Sequence, residues 1–251
     1  MSFSSKPKKH QGEDARDFDK TSLRHNQHGA WVHRDYAAHY FRWGFAARMI
    51  KGGAKVLDLG CGTDQALVRI LCYKPSGLPK KLIGVDYAKV TPKFNPKWFE
   101  LKSGFDFTTR WKELKKDGPF DVITCFEVIE HMQKAHGVKL LNGCYELLTP
   151  KTGRLMLSTP VYDAKTGMAQ NHIHEYGVEE LQRAISKSGL TIERRFGTFQ
   201  TALQAKQTKA PHRETWEALR AYYSDDVLAC FLAPLYPDLA RNNFWLCWRG
   251  V

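Results

Sequence analysis

From residue 55 onward, short apolar runs alternate with longer segments whose apolar positions recur every three or four residues. The short runs predict strands at Lys55–Leu59, Lys81–Asp86, Trp98–Lys102, Phe120–Phe126, Arg154–Thr159, Leu190–Phe199 and Phe244–Trp248. The periodic segments predict helices at Gln65–Tyr73, Val138–Leu148, Val178–Ser188 and Arg213–Tyr223. Strand–helix alternation of this kind predicts an α/β fold, a doubly wound, seven-stranded, mostly parallel sheet with helices on both faces. Upstream, Trp31, Tyr36, Tyr40, Trp43 and Ala47 recur at helical spacings over residues 31–50, and Gly52-Gly53 ends that helix. The first 27 residues are polar and basic without apolar periodicity, which predicts a flexible tail. One domain would then span 28–251. Its first part, 28–53, would act as a lid helix, and 200–242 would form a substrate-side insertion before the last strand.

Composition narrows the class. With 43% hydrophobic and 25% charged residues the chain reads as globular. No apolar run is long enough to span a membrane, and the N-terminus lacks the apolar stretch of a signal peptide, so a cytoplasmic protein is expected. The six cysteines, Cys61, Cys72, Cys125, Cys144, Cys230 and Cys247, include no C-x-x-C pair. Zinc-ribbon and thioredoxin-type chemistry are thereby set aside, and reduced thiols are expected. The formal net charge is +12. Between Lys74 and Lys116, eleven basic residues face four acids. Such an excess would steer an anionic partner such as nucleic acid, or simply solvate a face.

The most specific motif is Val56-Leu57-Asp58-Leu59-Gly60-Cys61-Gly62-Thr63, an apolar strand running through an acid into a glycine-rich turn before a helix. In open α/β sheets, ligands bind beyond the carboxyl ends of the strands, where such a turn sits. This stretch resembles motif I of the class I S-adenosylmethionine-dependent methyltransferases, whose fold is Rossmann-like. The resemblance continues in order through Asp86 after the second strand, Asp106 in Gly-Phe-Asp-Phe, the segment Phe120–His131, and Leu148-Thr-Pro-Lys-Thr-Gly-Arg-Leu. It implies S-adenosylmethionine as cofactor. It also implies a cofactor site drawn from Asp58, Gly60, Cys61, Gly62, Asp86, Tyr87, Asp106 and Phe126, with Asp86 on the ribose hydroxyls and Asp106 on the adenine amino group. Asp64 stands where the family often has a third glycine. A carboxylate there disfavours a pyrophosphate but is tolerable beside a sulfonium.

The post-strand segment restricts the acceptor. It reads Phe126-Glu-Val-Ile, not the Pro-Pro-aromatic loop of amino-group methyltransferases on bases, and no Pro-Cys pair is present for C5-cytosine chemistry. In its place stands Glu127-Val-Ile-Glu130-His131, followed after the next strand by Asn171-His172-Ile-His174-Glu-Tyr. If helical, Glu127, Glu130 and His131 would share a face. This order resembles the small-RNA 3′-terminal 2′-O-methyltransferases. That resemblance implies a Mg²⁺ or Mn²⁺ site from Glu127, Glu130, His131 and His174, with His172 as the alternative. The same stretch resembles the ubiquinone-biosynthesis O-methyltransferases. There Glu127, Glu130, His131 and His172 would serve as acid/base or structural groups. A hydroxyl acceptor follows from either resemblance, carried by a nucleic acid or nucleotide in one case and by a small molecule in the other. A cofactor-binding protein without catalysis is the reading of another class.

The flanks supply further candidates. Arg42, in His33–Trp43, would take the methionine carboxylate, with aromatics excluding water. In the insertion, His212, Arg213, Arg220 and Tyr222 offer cation and stacking contacts, while Trp216, Leu219 and Tyr223 are expected in the core. The His33–Trp43 stretch and the Ala233-Pro-Leu-Tyr-Pro-Asp ending are similar to bacteriophage-encoded orphan methyltransferases.

Overall fold

The computed structural model of the chain describes residues 23–26, 29–32, 34–199 and 212–250. In chain order the elements are β1 (Leu23–Asn26), β2 (Gly29–Val32), α1 (Arg34–Met49), β3 (Lys55–Leu59), α2 (Ala66–Cys72) and β4 (Lys81–Asp86). Then follow β5 (Phe99–Ser103), α3 (Phe107–Arg110), β6 (Val122–Phe126), α4 (Lys134–Leu147), β7 (Arg154–Pro160) and α5 (Val178–Lys187). The chain ends with β8 (Leu190–Phe199), α6 (His212–Leu219), α7 (Asp225–Phe231) and β9 (Asn242–Arg249).

Seven strands form one sheet in the order β5-β4-β3-β6-β7-β9-β8. Every neighbouring pair is parallel except the two that involve β9. The order reverses beside β3, so a crevice opens beyond the carboxyl ends of β3 and β6. The reversed direction of β9 has a second effect. Its first residue, Asn242, pairs with the last residue of β7, Pro160. The chain therefore leaves the insertion and enters β9 at the same edge where Leu59, Asp86 and Phe126 end their strands.

The strand period of two explains the two cores. On one face Leu57, Leu59, Ile123, Cys125, Leu155 and Leu157 pack with α4 and α5 through Leu140, Leu141, Leu181 and Ile185. On the other, Val56, Val122, Met156, Phe244 and Leu246 pack with α1 and α2 through Ala46, Ala47, Leu67 and Leu71. Both faces being covered, the central strands read as continuous apolar runs, which is why the sequence exposes them so clearly.

Several boundaries differ from the sequence expectation. Leu23–Asn26, expected in the tail, pairs antiparallel with Gly29–Val32, and Trp31, expected in the helix, lies in that second strand. Aromatic and β-branched residues such as Trp31 and Val32 favour a ladder where a partner strand is available. The rest of the expected tail, residues 1–22 and 27, lies outside the described residues. In the insertion, Trp216 is buried with Leu228, Ala229 and Leu232, as expected, and Leu219 packs against them. Tyr223 is exposed instead, because α6 stops at Leu219 and Tyr223 lies in the turn after it. Residues 200–211 lie outside the described residues. Among the described residues no helix is long and apolar enough to cross a membrane.

Phe244 is fully buried where α1, β6 and β8 meet, its ring 5.8 Å from Phe41, 5.1 Å from Phe45, 5.6 Å from Phe126 and 6.1 Å from Phe196. Phe244→Ala should cost about 3–5 kcal/mol. Urea unfolding should show a lower midpoint at unchanged slope. A midpoint within error of the parent would show that α1 does not depend on this ring.

Candidate active site

The turn after β3 is built around two glycines in left-handed backbone, Gly60 and Gly62, both with φ of 66°. A Cβ on Gly60 would stand 2.4 Å from Val128 Cγ2, so this glycine permits close packing against the segment after β6. A Cβ on Gly62 would meet nothing within 4 Å. The second glycine therefore borders open space, as a turn that cradles a ligand must. Its N–H donates to Asp86 Oδ2 (2.9 Å), and Asp86 Oδ1 accepts from Ala88 N–H (2.9 Å). Asp86 thus ties the end of β4 to the turn.

Asp58 sits just before the turn and is buried. Thr124 Oγ1 donates to its Oδ1 at 2.7 Å. Burial pushes the Asp58 carboxyl up to about 7; the Thr124 bond opposes the rise and the Asp86 charge adds to it. Cys61 is buried beside Gly84, and its thiol is pushed up by burial and then by Asp58 and Asp86. Asp64, the family's missing glycine, forms an ion pair with Lys93. Its neighbour Gln65 adopts left-handed backbone, accepts from Lys93 N–H at 2.8 Å and donates to the Thr91 carbonyl at 2.8 Å. The extra carboxylate is thereby matched by a cation on the 87–97 segment. Asp106 caps α3, accepting from Thr108 N–H and Thr108 Oγ1 at 2.9 and 2.8 Å. Its carboxyl lies below the usual range, because the Thr108 and Thr109 bonds outweigh the burial that would raise it. Tyr87 is exposed, and Phe126 is half-buried against Phe244.

After β6 the chain does not continue as the helix that would align Glu127, Glu130 and His131. Glu127 has left-handed backbone (φ 56°), and only Ile129–His131 form a single 3-10 turn. The Glu127 side chain points elsewhere. Its Oε1 accepts from Arg42 Nη1 (2.8 Å) and Ser158 Oγ (2.7 Å), and its Oε2 from Asn242 Nδ2 (2.7 Å). Arg42, expected to receive a methionine carboxylate, is buried on this internal carboxylate instead and also contacts the His39 ring. His39 stacks on Trp43 (4.8 Å), and burial, then the Arg42 charge, lowers its pKa well below the ordinary histidine value.

Glu130, His131 and His172 converge. One ligand atom from each lies within 4.8 Å of the others, the group of this kind found among the described residues. Glu130 is fully buried and accepts from Thr159 Oγ1 at 3.1 Å. His131 Nδ1 lies 3.1 Å from the Asn171 carbonyl, and its ring is edge-on to His172 at 4.9 Å. His172 Nδ1 contacts Glu175 Oε1 at 2.6 Å, while its Nε2 is buried with no hydrogen-bond partner. Of the four groups expected to hold a metal, Glu130 and His131 are in this cluster. Glu127 is turned to Arg42, and His174 faces Glu180 at 3.2 Å with its ring on Tyr176. The alternative, His172, takes the place expected for His174. The backbone explains the exchange: Glu130 O accepts from both Ile173 N–H (2.8 Å) and His174 N–H (3.1 Å), which seats His172 on the turn and directs His174 away.

Sequence reasoning gave no role to Thr124, Lys93, Asn242 or Arg241. Each acts through a partner from 29 to 115 residues away, and no local spacing signals that.

Residues 24–195 match the model of a methyltransferase domain. A ubiquinone biosynthesis O-methyltransferase of Xanthomonas axonopodis pv. citri (strain 306) is 30% identical over 119 residues, 45% of this chain and 46% of that protein. The chain thus matches about half the length of such curated relatives. Among solved structures, a SAM-dependent methyltransferase from Archaeoglobus fulgidus superposes with a TM-score of 0.55 at 18% identity, over 93% of this chain and 98% of that one. The small-RNA methyltransferase HEN1 superposes with a TM-score of 0.52 at 19% identity, over 84% of this chain and 25% of that one. At these identities the two structures share the fold.

The raised Asp58 pKa has a measurable consequence. Between its ordinary value of 3.8 and about 7, the folded protein holds a proton that the unfolded chain releases. This contribution to stability is complete below the lower value and is lost as pH rises through the upper one, with a slope up to roughly 1.4 kcal/mol per pH unit. Asp58→Asn removes the titration while leaving an acceptor for Thr124. Thermal melts at pH 5 and pH 8 should differ less in Asp58→Asn than in the parent protein. Equal differences would refute the assignment.

Proposed function

The chain belongs to the methyltransferase domain family, and from that premise we propose that it transfers a methyl group from S-adenosylmethionine to a hydroxyl oxygen of a small molecule. The observation that carries the reading is His172 Nε2: buried, without a partner, and set beside Glu130 and His131. Its cluster adjoins the glycine turn through Val128, which packs on Gly60 three residues before His131. A hydroxyl acceptor needs such a group, because the oxygen must lose its proton as it is methylated.

The residues at the turn fit the cofactor. Open space at Gly62 would admit it, Asp86, tied to the turn at the end of β4, would offer its carboxylate to the ribose hydroxyls, and a bound ammonium would restore the charge that burial disfavours on Asp58. When bound, S-adenosylmethionine supplies an electrophilic methyl carbon on a sulfonium. The chain aligns an acceptor oxygen in line with it and keeps water out. His172 Nε2 would accept the proton that the hydroxyl must lose on methylation and become an imidazolium.

The small-molecule acceptor is supported by where the cations go. Of the eleven basic residues between Lys74 and Lys116, five are ion-paired within the domain: Lys81, Lys93, Lys102, Arg110 and Lys115. Lys74 donates to the carbonyls of Ala47, Ile50 and Gly77. It is also supported by the hydroxyl chemistry in the name of the curated relative.

A second reading rests on the donor set. One carboxylate and two imidazoles within 4.8 Å of one another suit a divalent cation such as Mg²⁺ or Mn²⁺. Held by Glu130, His131 and His172, it would lower the pKa of a ribose hydroxyl at an RNA end.

Titration calorimetry should show S-adenosylmethionine binding that Asp86→Ala weakens about tenfold or more, the worth of one well-placed charged hydrogen bond. Unchanged affinity would remove Asp86 from the cofactor site. His172→Ala should lower kcat on small-molecule hydroxyl acceptors by about 10²–10⁴ while leaving cofactor affinity intact. Turnover of those acceptors should survive EDTA. Activity confined to RNA ends, abolished by EDTA and restored by Mn²⁺, would replace the first reading with the second.

A further inference from the structure

Behind His172 lies a chain of groups that neither the cofactor nor the acceptor would touch. Glu175, whose side chain is completely buried, joins two cationic or polarised donors. Its Oε1 receives the His172 Nδ1 contact at 2.6 Å and the Ala169 N–H at 3.1 Å, and its Oε2 receives Arg241 Nη2 at 2.8 Å. Arg241, a permanent cation 2.8 Å from Oε2, and the Ala169 N–H on Oε1 make this enclosed position the seat of a carboxylate anion, and an anionic carboxylate only accepts. The ring nitrogen that faces it must carry the proton.

We propose that Glu175 and Arg241 are positioning residues that hold neutral His172 as the Nδ1–H tautomer, so that Nε2 enters the cluster as a lone pair. The proposal rests on the acceptor reading above and deepens it, since a base or a metal ligand is useful only through that lone pair. With the opposite tautomer, Nε2 would present a proton to the acceptor and could take none. Glu175 need not accept the Nδ1 proton during transfer. It stabilises the imidazolium that forms when Nε2 is protonated.

Arg241 makes the device more than a local pair. The same guanidinium donates to the Val161 carbonyl and, at 3.4 Å, to the Gly167 carbonyl, stitching the segment between β7 and α5. It also stands at the end of the insertion, one residue before β9. The element expected to select the acceptor is thus joined through Arg241 and Glu175 to the histidine that would deprotonate it.

A purely structural staple would leave the ring's protonation pattern indifferent, so that pattern is the test. The full-length protein is labelled with ¹⁵N-histidine, and long-range ¹H–¹⁵N correlations are recorded at a pH where the ring is neutral. His172 is assigned by its loss in His172→Gln. The expected spectrum shows a protonated Nδ1 and an unprotonated Nε2. An Nε2–H tautomer, or an even mixture, in the parent protein overturns the proposal before any variant is needed. Glu175→Gln has one acceptor oxygen where two are required, so the Nδ1–H preference should weaken. Its kcat should fall about 10–100-fold at unchanged cofactor affinity. Arg241→Lys, which keeps the cation, should retain more activity than Arg241→Ala. A Glu175→Gln protein that melts lower but keeps both tautomer and kcat would reduce Glu175 to a staple and overturn the proposal. The spectrum needs neither donor nor acceptor. A parent protein with the expected tautomer but no hydroxyl methylation would instead sink the proposed function.

Discussion

A partly buried carboxylate with three donors is the joint on which the site edge hangs. Glu127 and Arg42 are 12% and 3% exposed, so each would be costly alone. Their contact at 2.8 Å brings α1 to the end of β6, Ser158 adds β7, and Asn242 adds the first residue of β9. Four elements far apart in sequence are held to one side chain. The geometry also accounts for the left-handed backbone at Glu127, a conformation that costs a non-glycine residue about 1–3 kcal/mol and persists where surroundings over-determine it. Turning the chain this way points Glu127 inward and lets the following 3-10 turn present Glu130 and His131.

From that joint the edge divides by chemistry. On the β3–β4 side stand acids: Asp58, whose charge is disfavoured by burial, and Asp86, bound to the glycine turn. This is an environment for a cationic ligand with hydroxyls. Across Val128 stand a buried carboxylate and two imidazoles, an environment for removing or polarising a proton. The two halves meet because Gly60 lacks a side chain, with Val128 Cγ2 where its Cβ would be. In the proposed reaction a methyl donor and an acceptor oxygen would have to approach each other in line, and the missing side chain at Gly60 is what lets the two groups of residues stand that close.

The parts of this arrangement legible in the sequence are those with local signatures. Central strands such as Lys55–Leu59 announce themselves because both faces are buried. Asp58, Gly60 and Gly62 do so because a strand must turn sharply into a helix there. Glu130, His131 and His172 were identifiable as chemical groups, but which of them meet was not. One left-handed residue at 127 removed a carboxylate from the cluster, and two backbone bonds to Glu130 O exchanged His174 for His172. Such outcomes depend on single torsions and long-range pairing, and neither leaves a periodic trace. Arg42 shows the same limit. An arginine in a lid helix suits an external carboxylate equally well on paper, and only the fold shows an internal one at 2.8 Å.

The entry to β9 then acquires a meaning that its sequence alone did not suggest. Two consecutive residues there, Arg241 and Asn242, each bind a carboxylate: the buried Glu175 behind His172, and the partly buried Glu127 behind α1. Because β9 runs against the rest of the sheet, the end of the insertion arrives at the carboxyl edge and not at the opposite one. An antiparallel last strand is usually read as a matter of topology. In this chain it brings a segment outside the parallel core to the carboxylates that bind Arg42 of α1 and His172. Under the proposed function, an acceptor that shifted Arg241 and Asn242 would act on both carboxylates at once, joining selection of the acceptor to the alignment of His172.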